Sequence, residues 1–108
     1  MPLCLHLDDD AMVPRLHPGD IVVADHVQPQ SGQLVLARVN RRAVVRILRV
    51  HAACRDTSFE LVPSNPRWPV SDSRQSNVRI LGRVVYVDHQ LVPVPALLTP
   101  GKVYRVSV

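Results

Sequence analysis

Residues 7–20, LDDDAMVPRLHPGD, join two apolar segments near the start of the sequence. Proline fixes φ and lacks an N–H donor, and Pro18-Gly19-Asp20 is typical of a turn that precedes a strand. Connections that a rigid sheet holds in place commonly carry functional residues. We therefore expect a shaped turn between two strands, and we expect candidate site residues within it.

Alternating apolar residues predict strands on both sides of this turn and further along the chain. Leu3, Leu5 and Leu7 alternate with polar residues, which is the period of a half-buried strand. Asn40-Arg41-Arg42 predicts a tight reversal, so the strands before and after it form a hairpin. Gly82 interrupts the last long strand and indicates a bulge or a close backbone approach. The expected strands are 2–7, 20–26, 33–40, 43–50, 59–62 and 78–87, with a polar connection at 51–57.

Composition fits one mainly β domain. The chain has 108 residues, of which 46% are hydrophobic and 20% charged, and ten are prolines. This length suffices for one core, and the many β-branched residues favour strands. Cys4 and Cys54 are too few for a disulfide framework, no secretory signal is apparent, and no apolar run reaches the length of a membrane span. These features predict a cytoplasmic chain with reduced cysteines and no membrane segment.

Residues 9–14, DDAMVP, resemble a motif of the LexA-like S24 peptidases, a family of self-cleaving repressors and UmuD-type subunits of mutagenic polymerases. The family motif is Gly-Asp-Ser-Met-x-Pro, and this chain matches it at Asp10, Met12 and Pro14. Pro18-Gly19-Asp20 is similar to the continuation of the motif. Later segments resemble the family in the same order, so that the likeness extends over about residues 5 to 88. These segments are 20–25, 29–37, 59–66 and 80–85.

The resemblance implies a fold and a site. It implies a mainly β, LexA/signal-peptidase-like domain of several short strands with little helix, barrel-like in form, over residues 1–89. It implies a cleft at Asp10, Met12 and Pro14. Residues 90–108 lie outside the resemblance and form a C-terminal extension, which we expect to contain a strand that packs on the domain or on a partner subunit.

The family cleaves peptides with a serine nucleophile and a neutral, buried lysine base, and this chain departs from it at both positions. The nucleophile position falls on Ala11 and the general-base position on Arg46. Alanine has no oxygen that could attack a carbonyl, and a guanidinium stays protonated. By this comparison no intact catalytic residue remains, although the sequence does not tell natural replacement from engineering.

Three alternatives concern individual residues. Arg46 could extend its guanidinium group into solvent, or it could pair with Asp10 or Asp9.

A displaced serine–lysine pair would have to use Lys102, and no spacing pairs this lysine with a serine. The serines considered are Ser31, Ser58 and Ser64. The acidic turn, together with Cys4 and His6, could bind a metal, but a solvated turn fits the spacing better, so no metal or cofactor is expected.

The net charge of +4 raises the possibility of nucleic-acid binding. Five arginines could form a basic patch, but they recur along two strands without the alternating aromatic residues of a single-strand stacking platform. No helix-turn-helix pattern is present either. These points argue against direct, specific DNA binding. The five residues are Arg38, Arg41, Arg42, Arg46 and Arg49.

The resemblance implies a function without catalysis. Family members form homodimers that pair repressor subunits or dock a polymerase, and the short segment before Ala11 leads us to expect the layout of the processed UmuD-type form. We therefore expect an inactive, homodimeric interaction module in SOS-response or prophage repressor regulation, with a DNA polymerase or a repressor as partner. The alternatives are a self-cleaving S24 protease with its dyad mutated, and a basic DNA-associated β-barrel protein.

Overall fold

Alternating side chains along the chain form strands in the computed structural model, which describes residues 2–53, 56–74, 77–89 and 99–105. In this part of the chain every regular element is a strand, and the mainly β prediction is confirmed. No helix there has the length and apolar character needed to cross a membrane. The strands are β1 (Leu3–His6), β2 (Ile21–Asp25), β3 (Leu34–Val39), β4 (Arg42–Ala53), β5 (Asp56–Val62), β6 (Ser71–Asp72), β7 (Val78–Asp88) and β8 (Val103–Arg105).

The strands form one antiparallel sheet in the order β6-β5-β4-β3-β7-β2-β1-β8. Within the described residues the sheet is not closed, and the two short strands β6 and β8 are its edges. The predicted polar connection at 51–57 is wrong, because β4 runs to Ala53 and pairs with β5 across it. The strand expected in the C-terminal extension is β8, and it pairs with β1 of the same chain. Cys54 and the apolar segment 90–98 lie outside the described residues.

Both faces of the sheet are covered, because β3 and β4 alternate apolar residues on both sides. Leu36 and Val45 point into one buried cluster, which also contains Leu5, Val22 and Met12. The intervening residues of the same strands point into a second cluster on the other face. That cluster consists of Val35, Ala37, Val44, Leu48 and Leu61. Arg46 lies two residues from both Val44 and Leu48 along β4, so its side chain is on the same face of the sheet as this second cluster.

The β3–β4 hairpin closes as predicted, through a two-residue turn. Val39 pairs with Arg42, and Asn40 and Arg41 have φ angles of 50° and 74°. Positive φ at both central residues is the signature of the type I′ turn, whose twist matches that of the flanking strands.

Gly82 lies where β7 passes close to β2, as its position in the sequence indicated. The pairing of β3 with β7 shifts between Leu36 and Ala37, next to the partner position of Gly82. A Cβ atom at Gly82 would lie 2.6 Å from the carbonyl oxygen of Asp25. This oxygen belongs to the backbone, which cannot move aside for a methyl group as the end of a flexible side chain can.

We expect Gly82→Ala to lower the free energy of unfolding by about 2 to 3 kcal/mol, because one strand must shift to admit the methyl group. Urea denaturation measures this loss. Gly32→Ala is the matched control, since the added Cβ meets nothing within 4 Å and only the left-handed φ of 92° opposes it. The control should cost about 1 kcal/mol. Equal losses in the two variants would contradict the close approach.

Candidate functional site

The turn between β1 and β2 is held at both of its ends. The Leu7 amide donates to the carbonyl of Asp20 at 2.9 Å, and the Gly19 amide donates to the carbonyl of Leu7 at 2.8 Å. Between these bonds, Ala11 and Met12 are fully buried. The turn therefore presents its residues from a fixed backbone, as expected for a connection that carries a site.

Asp9 is the residue that joins this turn to β4. Its Oδ1 accepts a hydrogen bond from the Ala11 amide at 3.2 Å, and its Oδ2 lies 3.6 Å from Nη2 of Arg46. Nη2 of Arg42 also lies 3.5 Å from the same oxygen. The Asp9 side chain is only 2% exposed, so the expectation of a fully solvated acidic turn is wrong for this residue. One buried carboxylate thus contacts both Ala11 and Arg46.

Arg46 is buried and paired, which resolves the two alternatives for its side chain. The side chain is 6% exposed and pairs with Asp9 rather than with Asp10. Its Nη1 donates to the Val45 carbonyl at 2.8 Å. Burial lowers the pKa of Arg46 and the positive charge of Arg42 lowers it further, while the charge of Asp9 opposes both effects. A guanidinium starts from so high a pKa that it stays protonated at neutral pH.

Trp68 anchors the loop after β5 onto the turn. Its Nε1 donates to Oδ1 of Asp10 at 2.7 Å. The guanidinium carbons of Arg42 and Arg46 each lie 5.5 Å from the centroid of the indole ring, within the range of a cation–π interaction. The amide of Asn65 in the same loop donates to the Ala11 carbonyl at 2.8 Å. Two segments that are far apart in the sequence therefore form one site.

The three predicted cleft residues differ in burial and do not line one common cleft in the structure. Asp10 is exposed and holds Trp68, Met12 is fully buried in the core, and Pro14 is exposed on the turn. An open groove of about 290 Å³ lies beside the paired arginines instead. It is lined by Val39, Asn40, Arg42, Val44, Arg46, Trp68, Pro69, Val70 and Ser71.

Asp9 entered the sequence analysis only as one of two possible partners of Arg46, although the family motif held a further signal for it. The motif that residues 9–14 resemble has glycine where this chain has Asp9. Ala11, Arg46 and Asp9 are thus three departures from one pattern. In the structure the carboxylate of Asp9 meets the other two directly. The three positions that depart from the family motif therefore lie in one contact group centred on an ion pair.

The remaining candidates do not assemble into a second site. Lys102 lies over the ring of Tyr104, with Nζ 5.5 Å from its centroid. Ser31 Oγ accepts a hydrogen bond from the Val50 amide, as a turn serine does. Within the described residues, no group of three or more His, Cys, Asp or Glu side chains is arranged to hold a metal ion.

Chemically, the arrangement offers buried charge, hydrogen-bond donors and an indole face next to a groove. Alanine has no hydroxyl to supply as a nucleophile, and the cation beside it is not a proton acceptor. A family model described as Peptidase S24-like matches residues 2–85, a range that includes the turn, β4 and the Trp68 loop. No curated protein matches the chain.

Proposed function

The chain belongs to the S24-like peptidase family, and we propose that it is a non-catalytic member that acts as a homodimeric interaction module in SOS-response or prophage repressor regulation. One observation carries the non-catalytic part of the proposal. The buried carboxylate of Asp9 contacts the Ala11 amide and the Arg46 guanidinium, the two positions at which the family pattern has serine and lysine.

The electrostatics of this contact oppose peptidase chemistry in their own right. A lysine can act as a base only in its neutral form, which burial favours by lowering the pKa of the amine. A carboxylate at 3.6 Å acts in the opposite direction, because it stabilises the protonated form. Asp9 suits a permanent cation at position 46 and would hinder a lysine there. This argument favours a site specialised for structure or binding over a protease whose dyad was merely mutated.

The interaction role is supported by features on the outside of the sheet. β8 is an edge strand of only three residues, and within the described residues it pairs on one side alone. A free edge of this kind can accept a strand from a second copy. We place the homodimer contact at this side of the sheet, and a cytoplasmic polymerase or repressor as the further partner.

Sedimentation equilibrium over a range of concentrations tests the module. We expect the full chain to sediment as a dimer, and a chain lacking residues 90–108 to sediment as a monomer, because the deletion removes the β8 edge. Far-UV circular dichroism of the truncated chain checks that the sheet remains. A strictly monomeric full chain, or a folded truncated chain that still dimerises, would contradict this placement.

A further inference from the structure

Three exposed arginines lie near the turn end of the β3–β4 hairpin. Arg38 on β3 pairs directly opposite Arg79 on β7. Arg41 lies in the two-residue turn that follows β3. All three side chains are exposed. We call Arg38, Arg41 and Arg79 the arginine tip.

Two features of the arginine tip oppose the stability of the folded chain. Like charges at directly opposed positions of an antiparallel pair repel each other. Arg41 has a φ of 74°, which a residue with a side chain adopts only at a cost and which glycine adopts readily. Neither feature contributes to the hairpin, since Asn-Gly is the favoured sequence for such a turn.

The arginine tip is also uncompensated, unlike the other arginines of the basic patch considered from the sequence. Arg42 and Arg46 pair with Asp9, and Arg49 donates to Glu60 at 2.9 Å. For the arginine tip, no ion pair with any carboxylate occurs among the residues that the structure describes. Among the described residues, Arg42, Arg46 and Arg49 of the patch therefore form ion pairs, whereas Arg38 and Arg41 do not. Arg79, which the patch did not include, shares this property with Arg38 and Arg41.

Two hydrogen bonds between Asn40 and Asn77 hold the backbone of the arginine tip in place. The Asn40 amide donates to the carbonyl of Asn77 at 2.9 Å, and the Asn77 amide donates to Oδ1 of Asn40 at 3.3 Å. These two bonds tie the hairpin turn to the residue that precedes β7. The three arginine side chains are consequently attached to backbone segments that these hydrogen bonds hold together.

We propose that the arginine tip binds the phosphate backbone of double-stranded nucleic acid without reading its sequence. Guanidinium groups match phosphate oxygens in geometry and charge, and the chain is basic overall with a net charge of +4. A protein partner would be expected to meet an apolar core in its interface. Among the described residues, four of the exposed large hydrophobic side chains lie away from the turn, namely Val27, Val50, Val85 and Tyr86, and Val70 lines the groove next to it. Contact that does not depend on base sequence is also consistent with the sequence analysis, which found neither a helix-turn-helix pattern nor the aromatic residues of a stacking platform.

Fluorescence anisotropy with a labelled duplex of about 20 base pairs and scrambled sequence tests this proposal through its salt dependence. Three phosphate contacts predict a slope of log K against log salt of about −2.7. Arg38→Gln and Arg79→Gln should each make the slope shallower by about 0.9 and weaken binding. Arg15→Gln is the matched control, because it removes the same charge from an exposed arginine beside Gln33 and Leu34, at the opposite end of β3 from the turn. The control should leave the slope unchanged.

Arg41→Gly gives the sharpest outcome, because it should separate stability from binding. Removing the side chain relieves the positive φ, so the thermal midpoint should rise by about 4 °C. The same change should make the salt slope shallower by about 0.9. A more stable chain that binds duplex less well is the result expected of a residue that serves a ligand.

Other outcomes overturn the proposal. The first is the absence of any binding to the duplex at low salt. The second is an equal change of slope for the arginine tip variants and for Arg15→Gln, which would indicate attraction by net charge alone. The third is binding to a polyglutamate peptide, with the same loss in the arginine tip variants, when the duplex does not bind at that ionic strength. This last result would assign the arginine tip to an acidic protein.

Discussion

Replacing Asp9 with alanine is expected to lower the free energy of unfolding by about 3 to 5 kcal/mol. The guanidinium of Arg46 is 6% exposed, and without Asp9 it would remain in the protein interior as an unpaired charge. The Ala11 amide would lose its hydrogen-bond acceptor as well. Urea denaturation, followed by circular dichroism, measures the loss.

Two further variants make this result specific to the ion pair. Asp10→Ala removes an adjacent carboxylate that is exposed and accepts only the Trp68 indole N–H, so it should cost much less, about 1 kcal/mol. Asp9→Ala combined with Arg46→Met should recover most of the lost stability, because an apolar side chain of similar length needs no counter-ion. Equal losses for Asp9→Ala and Asp10→Ala, or no recovery in the combined variant, would contradict the buried pair.

The double substitution Ala11→Ser with Arg46→Lys introduces both residue types of the family dyad. It is expected to leave the chain unable to hydrolyse a peptide with an Ala-Gly bond, the type of bond that the S24 resemblance implies as substrate. The carboxylate of Asp9 would keep the new lysine protonated, since a nearby opposite charge raises an amine pKa by about 1 to 3 units. Adding Asp9→Gly removes this carboxylate and restores the residue of the family motif. The triple variant should then cleave the peptide near pH 8, because loss of the carboxylate raises the neutral fraction of the lysine by about tenfold to a thousandfold. Product formation followed by chromatography measures both rates.

Much of the fold could be predicted from the sequence, because strands and tight turns have local causes. The alternation around Leu5 predicted β1, and Asn40-Arg41 predicted the hairpin turn. Predictions failed where pairing partners decide the structure. Residues 51–53, which the sequence placed in a polar connection, continue β4 because β5 pairs alongside them. β6 has only two residues and leaves no period to detect.

The site could be predicted only in part, because its contacts join distant segments. The family pattern located Ala11 and Arg46, and the alternatives for Arg46 included Asp9. Which carboxylate pairs with Arg46 depends on how the turn packs against β4, and alternation within a strand carries no such information. The same limit applies to Arg79, which meets Arg38 only through the pairing of β3 with β7. Sequence patterns identified individual site residues, but which of them are in contact depends on how the strands pair in the sheet.

The central claim is that an ion pair has replaced a catalytic dyad in this S24-like domain. Hydrolysis of the Ala-Gly peptide by the chain carrying Ala11→Ser and Arg46→Lys, with Asp9 retained, tests it most directly. The account predicts no product above the level of the unaltered chain, and product only after Asp9→Gly is added. Efficient cleavage by the double variant would contradict the account, because the site would then be that of a protease whose dyad alone had been mutated.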